Sequence, residues 1–334
     1  MNSDVTVTFT EPVPPPQPST MRKIFIGKDG LRAGWSLLIF IAMFAAIAFC
    51  IRIVGHKLHA PDESTLKPGM EIPPLIGVCL EGLSFLVVLL LTWIMSKIER
   101  RPNSVYGLGG SRKFSFFLTG MVWGIICLSL LILTLWKTGL LVFDRRLLFD
   151  GDIFRYGVIW LFGFLLVGLF EEYLTRGYLQ YTLTRGLAGI YQSAFKTRHS
   201  KTLGFWSTAV IFSILFGLGH GNNPGESPIG LLAAGLAAMV FCFSLWRTGS
   251  LWWAIGFHTS WDWGQSFLYG VADSGTMVQH HLFATHPSGK PLFSGGATGP
   301  EGSIFIIAIL ALASFIILFT LPRARYGDTA VRST

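Results

Sequence analysis

Two adjacent carboxylates and an arginine, Glu171, Glu172 and Arg176 in "FEEYLTRGYLQ", follow fourteen uncharged residues, Tyr156 to Leu169. An ionised side chain near a bilayer centre costs about 2.5–3.5 kcal/mol, so three ionisable groups in six positions need a task. Once tails and loops are set aside, few such groups remain within or beside apolar stretches: Glu81, Glu171, Glu172, Arg176, His220, His258 and Asp262. Glu172 and Arg176 stand i,i+4 with the acid N-terminal, the better order for an ion pair on a helix. Glu171 is turned about 100° from its neighbour, and if Arg176 neutralises Glu172, then Glu171 is the carboxylate left for chemistry. "FGLGHGNNP" places His220 four residues after Phe216 and just before a turn, and "GFHTSWDW" sets His258 and Asp262 on one helical face. A carboxylate, two imidazoles and a second carboxylate can activate water, one taking its proton while another positions it or stabilises an oxyanion. The same set can hold zinc.

Blander roles stand beside these. A Glu–Arg pair can merely lock helices together, and a lone histidine in an apolar span can serve as an interhelical hydrogen-bonder. Glu81 stands alone and reads as structural or as a water contact. His280, His281 and His286 fall in a Gly/Ser-rich loop and read as solvated. "SLWWAIGF" reads as an interfacial aromatic belt, and Trp261 and Trp263 as packing. The four cysteines fall inside apolar spans without CxxC spacing, as buried small hydrophobes would. What favours a site is that Glu, His and His–Asp occur on three successive charged spans in one chain.

The elements that must position these groups are membrane-grade. Of 334 residues, 51% are hydrophobic and only 13% charged, against about a quarter charged in soluble domains. Uncharged runs cover 33–51, 114–136, 202–219, 227–246 and 302–322. Three further apolar segments are interrupted: 72–96 by Glu81, 156–169 by the run into Glu171, and 251–268 by His258 and Asp262. Each is near the roughly 20 residues a spanning helix needs, so the expected fold is an all-α polytopic bundle of about eight transmembrane helices, 32–322. It is flanked by a disordered, proline-rich tail at 1–31 and a short tail at 323–334. The net charge of +8 does not point to nucleic acid. The lysines and arginines cluster in alternate connections, such as 97–113 and 173–201, which obeys the positive-inside rule with both termini cytoplasmic. No internal repeat of the transporter kind is visible.

The order "EEYLTRGYLQ", "FGLGH" and "TGSLWWAIGFHTSWD" closely resembles the CPBP family, which includes the CAAX prenyl protease 2 enzymes and bacterial Abi or bacteriocin-processing homologues. The family's EExxxR, FxxxH and HxxxN/D motifs match Glu171, Glu172 and Arg176, then Phe216 and His220, then His258 and Asp262. The matching core covers roughly 155–265, about a third of the chain. The resemblance implies an intramembrane endopeptidase, with the lipid bilayer as its surroundings and a protein or peptide substrate, lipid-modified in some relatives. Carried over by position, Glu171 is the general base, helped by His220. His258 and Asp262 stabilise the oxyanion, and Glu172 with Arg176 holds the site together. Many members carry asparagine where Asp262 stands; an ionised aspartate cannot donate a hydrogen bond, so Asp262 must be protonated, orient His258 or bind a cation. Without an HExxH helix, a metal-independent glutamate mechanism is the favoured expectation. The alternative is a zinc site built from Glu171, His220, His258 and Asp262. Two rival functions are a transporter-like proton relay and a non-catalytic immunity-type protein of the same fold.

Overall fold

A computed structural model describes residues 24–27, 30–57 and 71–322; most of both expected tails lies outside them. Within the stretch assigned to the N-terminal tail, Ile26–Gly27 (β1) pairs antiparallel with Gly30–Leu31 (β2), so regular structure begins before residue 32.

The molecule is an all-α bundle, 74% helical. Its helices are α1 (Ala33–Lys57), α2 (Pro74–Glu99), α3 (Lys113–Lys137), α4 (Asp150–Glu172), α5 (Gln180–Phe195), α6 (Ser200–Gly219), α7 (Pro228–Thr248), α8 (Trp252–Trp263) and α9 (Ile306–Thr320). Among the described residues six helical segments are long and apolar enough to cross a membrane, and α4 with α5 forms one of them, Asp150–Phe195, 46 residues long. All eight expected spans are helices, but two are short: α9 has 15 residues and α8 has 12. The bilayer does not set the length of α8, because α8 is enclosed by protein. Trp253, Ala254 and Ile255 are wholly buried.

Small residues allow that enclosure. On α3, a Cβ at Gly120 would strike the Trp253 carbonyl, and one at Gly124 would strike the Ser260 hydroxyl. On the opposite side Gly168 of α4 leaves room for Thr259 and the Ile255 carbonyl. With no side chain between the backbones, α3 and α4 close on α8 from two sides, the small-residue packing membrane helices use.

Helix ends follow local rules. Ser227 caps α7, its hydroxyl accepting from Gly230 N at 3.0 Å, with Pro228 in the first turn. Gly249, at φ 67°, ends α7 and turns the chain into α8. Both helices that carry paired motif residues run directly into a wide π-helical turn, Tyr173–Leu179 after α4 and Gly264–Leu268 after α8. Such turns re-aim side chains and concentrate at functional sites.

The end of α2 is fastened to the first of these turns by a buried carboxylate. Glu99 accepts from the Tyr178 hydroxyl at 2.8 Å and lies 3.6 Å from Arg101 and 3.7 Å from Arg185. At the other end of the bundle the chain builds a cap. Leu141–Arg146 (β4) pairs antiparallel with Phe283–Pro287 (β6), and Glu71–Ile72 (β3) pairs parallel with Met277–Val278 (β5). This cap corrects the loop reading of 270–302. His281 is buried with its Nδ1 2.7 Å from the Val278 carbonyl, and His280 stacks on Tyr156. His286, though exposed, meets Asp144 at 2.9 Å. The cysteines also divide: Cys127 and Cys242 are buried, whereas Cys50 and Cys79 are exposed on outer helix faces.

Candidate active site

Helix length brings the first two motifs to one depth. From Glu171 the continuous helix runs on for 24 residues to Phe195, about 36 Å at 1.5 Å per residue. Helix α6 then returns, and its 20 residues, Ser200–Gly219, climb about 30 Å to His220. His220 therefore arrives close to the level from which the chain left. A helix ending at Leu169 would have left the two groups at different depths.

The centre of the arrangement is Glu172, whose side chain is fully buried. Arg176 Nη1 donates to its Oε1 at 2.9 Å. The same guanidinium donates to the Thr175 hydroxyl at 2.9 Å and lies over the Phe216 ring, 4.2 Å from the centroid. Phe216 is thus tied to the carboxylate pair by a cation–π contact in a dry setting. Its carbonyl accepts a 2.7 Å bond from His220 Nδ1. A carbonyl only accepts, so Nδ1 carries a proton.

His258 reaches across from α8. Its Nδ1 lies 3.1 Å from Glu172 Oε1, and its Nε2 lies 3.4 Å from Asp262 Oδ2 and 3.7 Å from Glu171 Oε2. Glu172, paired with Arg176, accepts from Nδ1. Nε2 then faces two carboxylates, a meeting that is repulsive unless a proton resides within that triangle. Glu171 is therefore not isolated from its neighbours: it shares His258 with both Glu172 and Asp262.

Glu171, His220, His258 and Asp262 all line one cavity of about 640 Å³. Two features of this cavity escaped sequence reasoning. Glu81 of α2, read as structural or a water contact, lies in the same wall. The cap contributes Asp273, Ser274 and Glu301. Ser274 Oγ donates to Glu301 at 2.8 Å, and Ser266 Oγ donates to Asp273 at 3.3 Å. Their only sequence signal was that both acids sit in a connection rich in Gly and Ser. Trp263, by contrast, packs as expected, its Nε1 donating to the Gly157 carbonyl at 2.9 Å.

Among the described residues no group of three His, Cys, Asp or Glu side chains gathers in a way that could hold an ion. His258 already has Nδ1 on Glu172, and its Nε2 lies between two acids.

Residues 154–264 match the family described as Rce1-like, the type II CAAX prenyl endopeptidases. That segment carries all three motifs, so the resemblance to CPBP intramembrane proteases is shown over the part of the chain that bears the site residues. Neither the curated proteins nor the solved structures gave a match.

Two outcomes follow from this geometry. Arg176→Ala would strand a fully buried carboxylate, which costs about 3–5 kcal/mol. Its thermal unfolding in detergent should fall clearly below that of the parent; unchanged melting would mean that Glu172 does not need the arginine. The second outcome concerns Asp273 in the cap, whose pKa burial raises well above the ordinary carboxylate range, with Asp262 and Glu301 adding to the rise. The unfolded chain gives up this proton from about pH 3.9 while the folded chain keeps it, so folding loses stability as pH rises. Asp273→Asn cannot ionise. Its melting temperature relative to the parent should therefore climb from about pH 4 to about pH 8, and a pH-independent difference would contradict the assignment.

Proposed function

We propose that this multi-pass membrane protein is an intramembrane endopeptidase that hydrolyses peptide bonds with a glutamate-activated water. The observation that carries the reading is the convergence of Glu171, His220, His258 and Asp262 on one cavity, in a chain whose 154–264 segment matches a protease family. Water held in the cavity gives its proton to Glu171 as its oxygen adds to the scissile carbonyl carbon. His220, with Nδ1 fixed on the Phe216 carbonyl, offers Nε2 to orient that water. His258, kept cationic by the surrounding carboxylates, donates to the carbonyl oxygen as it becomes an oxyanion. Collapse of the tetrahedral intermediate breaks the C–N bond, and the proton on Glu171 passes to the leaving amine.

In this scheme Asp262 orients and charges His258 through their 3.4 Å approach; it is not itself the oxyanion donor. This follows from the chemistry of an aspartate where relatives carry an amide. Glu172 and Arg176 hold the histidine in place. The substrate is a protein or peptide in or beside the bilayer, lipid-modified ones included, and both termini of the enzyme face the cytoplasm.

Glu171→Gln should reduce cleavage of a reporter peptide by about 10²–10⁴-fold, the usual cost of losing a general base, while the variant inserts and melts like the parent. Near-parental turnover would remove Glu171 from the base role. Ser288→Ala, on the cap away from the cavity, is the control that should keep full activity.

We further propose that catalysis needs no metal, because Glu171 in a partly desolvated cavity has the environment a carboxylate base requires and the acids and histidines pair with one another. Chelator-washed protein should retain its activity and hold less than one zinc per chain. A stoichiometric zinc whose removal abolishes cleavage and whose return restores it would make Glu171, His220, His258 and Asp262 its candidate ligands.

A further inference from the structure

His220 leaves the end of α6 on a backbone with little stiffness of its own. Gly219 and Gly221 flank it, and a Cβ at either would meet nothing within 4 Å; glycine in open space leaves such a backbone free to move. Two hydrogen bonds carry the chain round the turn that follows, Asn223 N to the His220 carbonyl at 2.9 Å and Glu226 N to the Asn223 carbonyl at 3.3 Å. Gly221, Asn222 and Gly225 are exposed. The far end of this turn is clasped by the cap. Thr298, wholly buried, donates from Oγ1 to the Gly225 carbonyl at 3.1 Å, and its own carbonyl accepts from Gly275 N at 2.9 Å. Gly275, at φ 81°, lies so close to Pro224 that a Cβ would strike the Pro224 carbonyl. The turn that carries Gly275 is closed by paired bonds between Asp273 and Thr276, 2.9 and 2.8 Å, and Ser274 ties it to Glu301.

We propose that Thr298 is a positioning residue: by holding the Gly225 carbonyl it fixes the turn that carries His220 and keeps the imidazole at its place in the cavity wall. The clasp follows from the turn's geometry alone; its consequence for turnover rests on the endopeptidase reading above. Thr298 lies outside the 154–264 segment that matches the protease family, so a part of the chain beyond that segment completes the placement of a residue within it. The two branches of its side chain have separate tasks. The hydroxyl reaches Gly225, whereas Cγ2 faces Gly230 in the first turn of α7, where a Cβ would meet it. Without the hydroxyl the turn keeps its packing but loses its tether, and His220 Nε2 drifts from the water it orients. A misplacement of about 1 Å can cost about 10²-fold in rate, with no side chain in the cavity altered. Substrate binding is therefore spared while turnover falls.

The test separates the two branches in full-length protein in detergent. Thr298→Val keeps the methyl and removes the hydroxyl, and Thr298→Ser does the reverse. Thr298→Ala, which cannot overpack, differs from Thr298→Ser by the hydroxyl alone. Thr285→Val removes a comparable cap bond, from Thr285 Oγ1 to the Gly270 carbonyl at 2.7 Å, and is the control away from the His220 turn. Backbone hydrogen exchange across 220–226 and the kinetics of reporter-peptide cleavage are measured for each. Thr298→Val and Thr298→Ala should exchange these amides about fivefold or more faster than the parent. Both should lose about tenfold in kcat with KM within about twofold. Thr298→Ser should stay within about threefold of the parent in exchange and in kcat, and Thr285→Val should match the parent. Exchange at the parental rate in both hydroxyl-free variants overturns the inference. So does unchanged kcat in them when the parent cleaves, or an equal loss in Thr298→Ser or Thr285→Val. Faster exchange in the hydroxyl-free variants with no cleavage by the parent would sustain the clasp and overturn the endopeptidase reading.

Discussion

A carboxylate with no exposure to water keeps its charge only beside a full positive charge, and in this protein Glu172 has that partner in Arg176 one turn away. The rest of the site hangs on this pair. With Arg176 bonded to Glu172, Oε1 also accepts from His258 Nδ1, which fixes the face of the imidazole and turns Nε2 toward Glu171 and Asp262. The guanidinium's flat face is covered by Phe216, and the carbonyl of that residue sets the tautomer of His220. One ion pair therefore connects α4, the turn after it, α6 and α8. A buried pair of this kind adds little net stability over an apolar replacement; what it gives is a defined arrangement of three helices around polar groups that a bilayer would otherwise keep apart.

Around that pair the fold solves a second problem, which is to admit water and a polar backbone to a site deep in a membrane bundle. Irregular backbone at that depth is tolerated only where protein or a wet cavity satisfies it. Here the wide turn after α4 packs against α6 and α2, and the one after α8 against α3 and α4, while Glu171, His258 and Asp262 face the cavity. The cap closes the cavity with acids that are themselves fixed by Ser266 and Ser274. A hydrolytic site needs a desolvated base and a water at once, and a cavity walled by helices on the membrane side and by a polar cap on the other can supply both.

Much of this was legible in the residues because membrane physics leaves few choices. Apolar runs of spanning length became helices, and the i,i+4 spacing of Glu172 with Arg176 became an ion pair. The structure has the Glu171-bearing helix unbroken to Phe195, which brings Glu171 and His220 to matching depths. Other features carried no local signature. Glu99 sat among basic residues in a connection, and nothing near it announced Tyr178, 79 positions away. Glu81 looked solitary because its neighbours in the cavity come from distant parts of the chain. The 270–302 segment has the composition of a loop, yet its two short strands find partners at Glu71–Ile72 and Leu141–Arg146, a long-range pairing that no periodicity within it could disclose. The enclosure of α8 likewise depended on glycines in α3 and α4, whose meaning appears only once the three helices lie side by side.

The separation of roles among the carboxylates follows from where each one stands. Glu172 is held by its arginine and by His258. Glu171, one residue earlier, lines the cavity with an oxygen that has no hydrogen-bond partner. Asp262 lies beyond His258, 3.4 Å from its Nε2, and in the proposed mechanism would act through that ring. Three acids with different partners can thus hold three different protonation tendencies within one small volume, which is the condition for acid–base chemistry at neutral pH. The i,i+4 and adjacent spacings that first drew attention to these residues are the means by which two helices deliver that difference: adjacency on α4 sends Glu171 and Glu172 to different environments, and the helical repeat on α8 brings Asp262 back onto the face of His258.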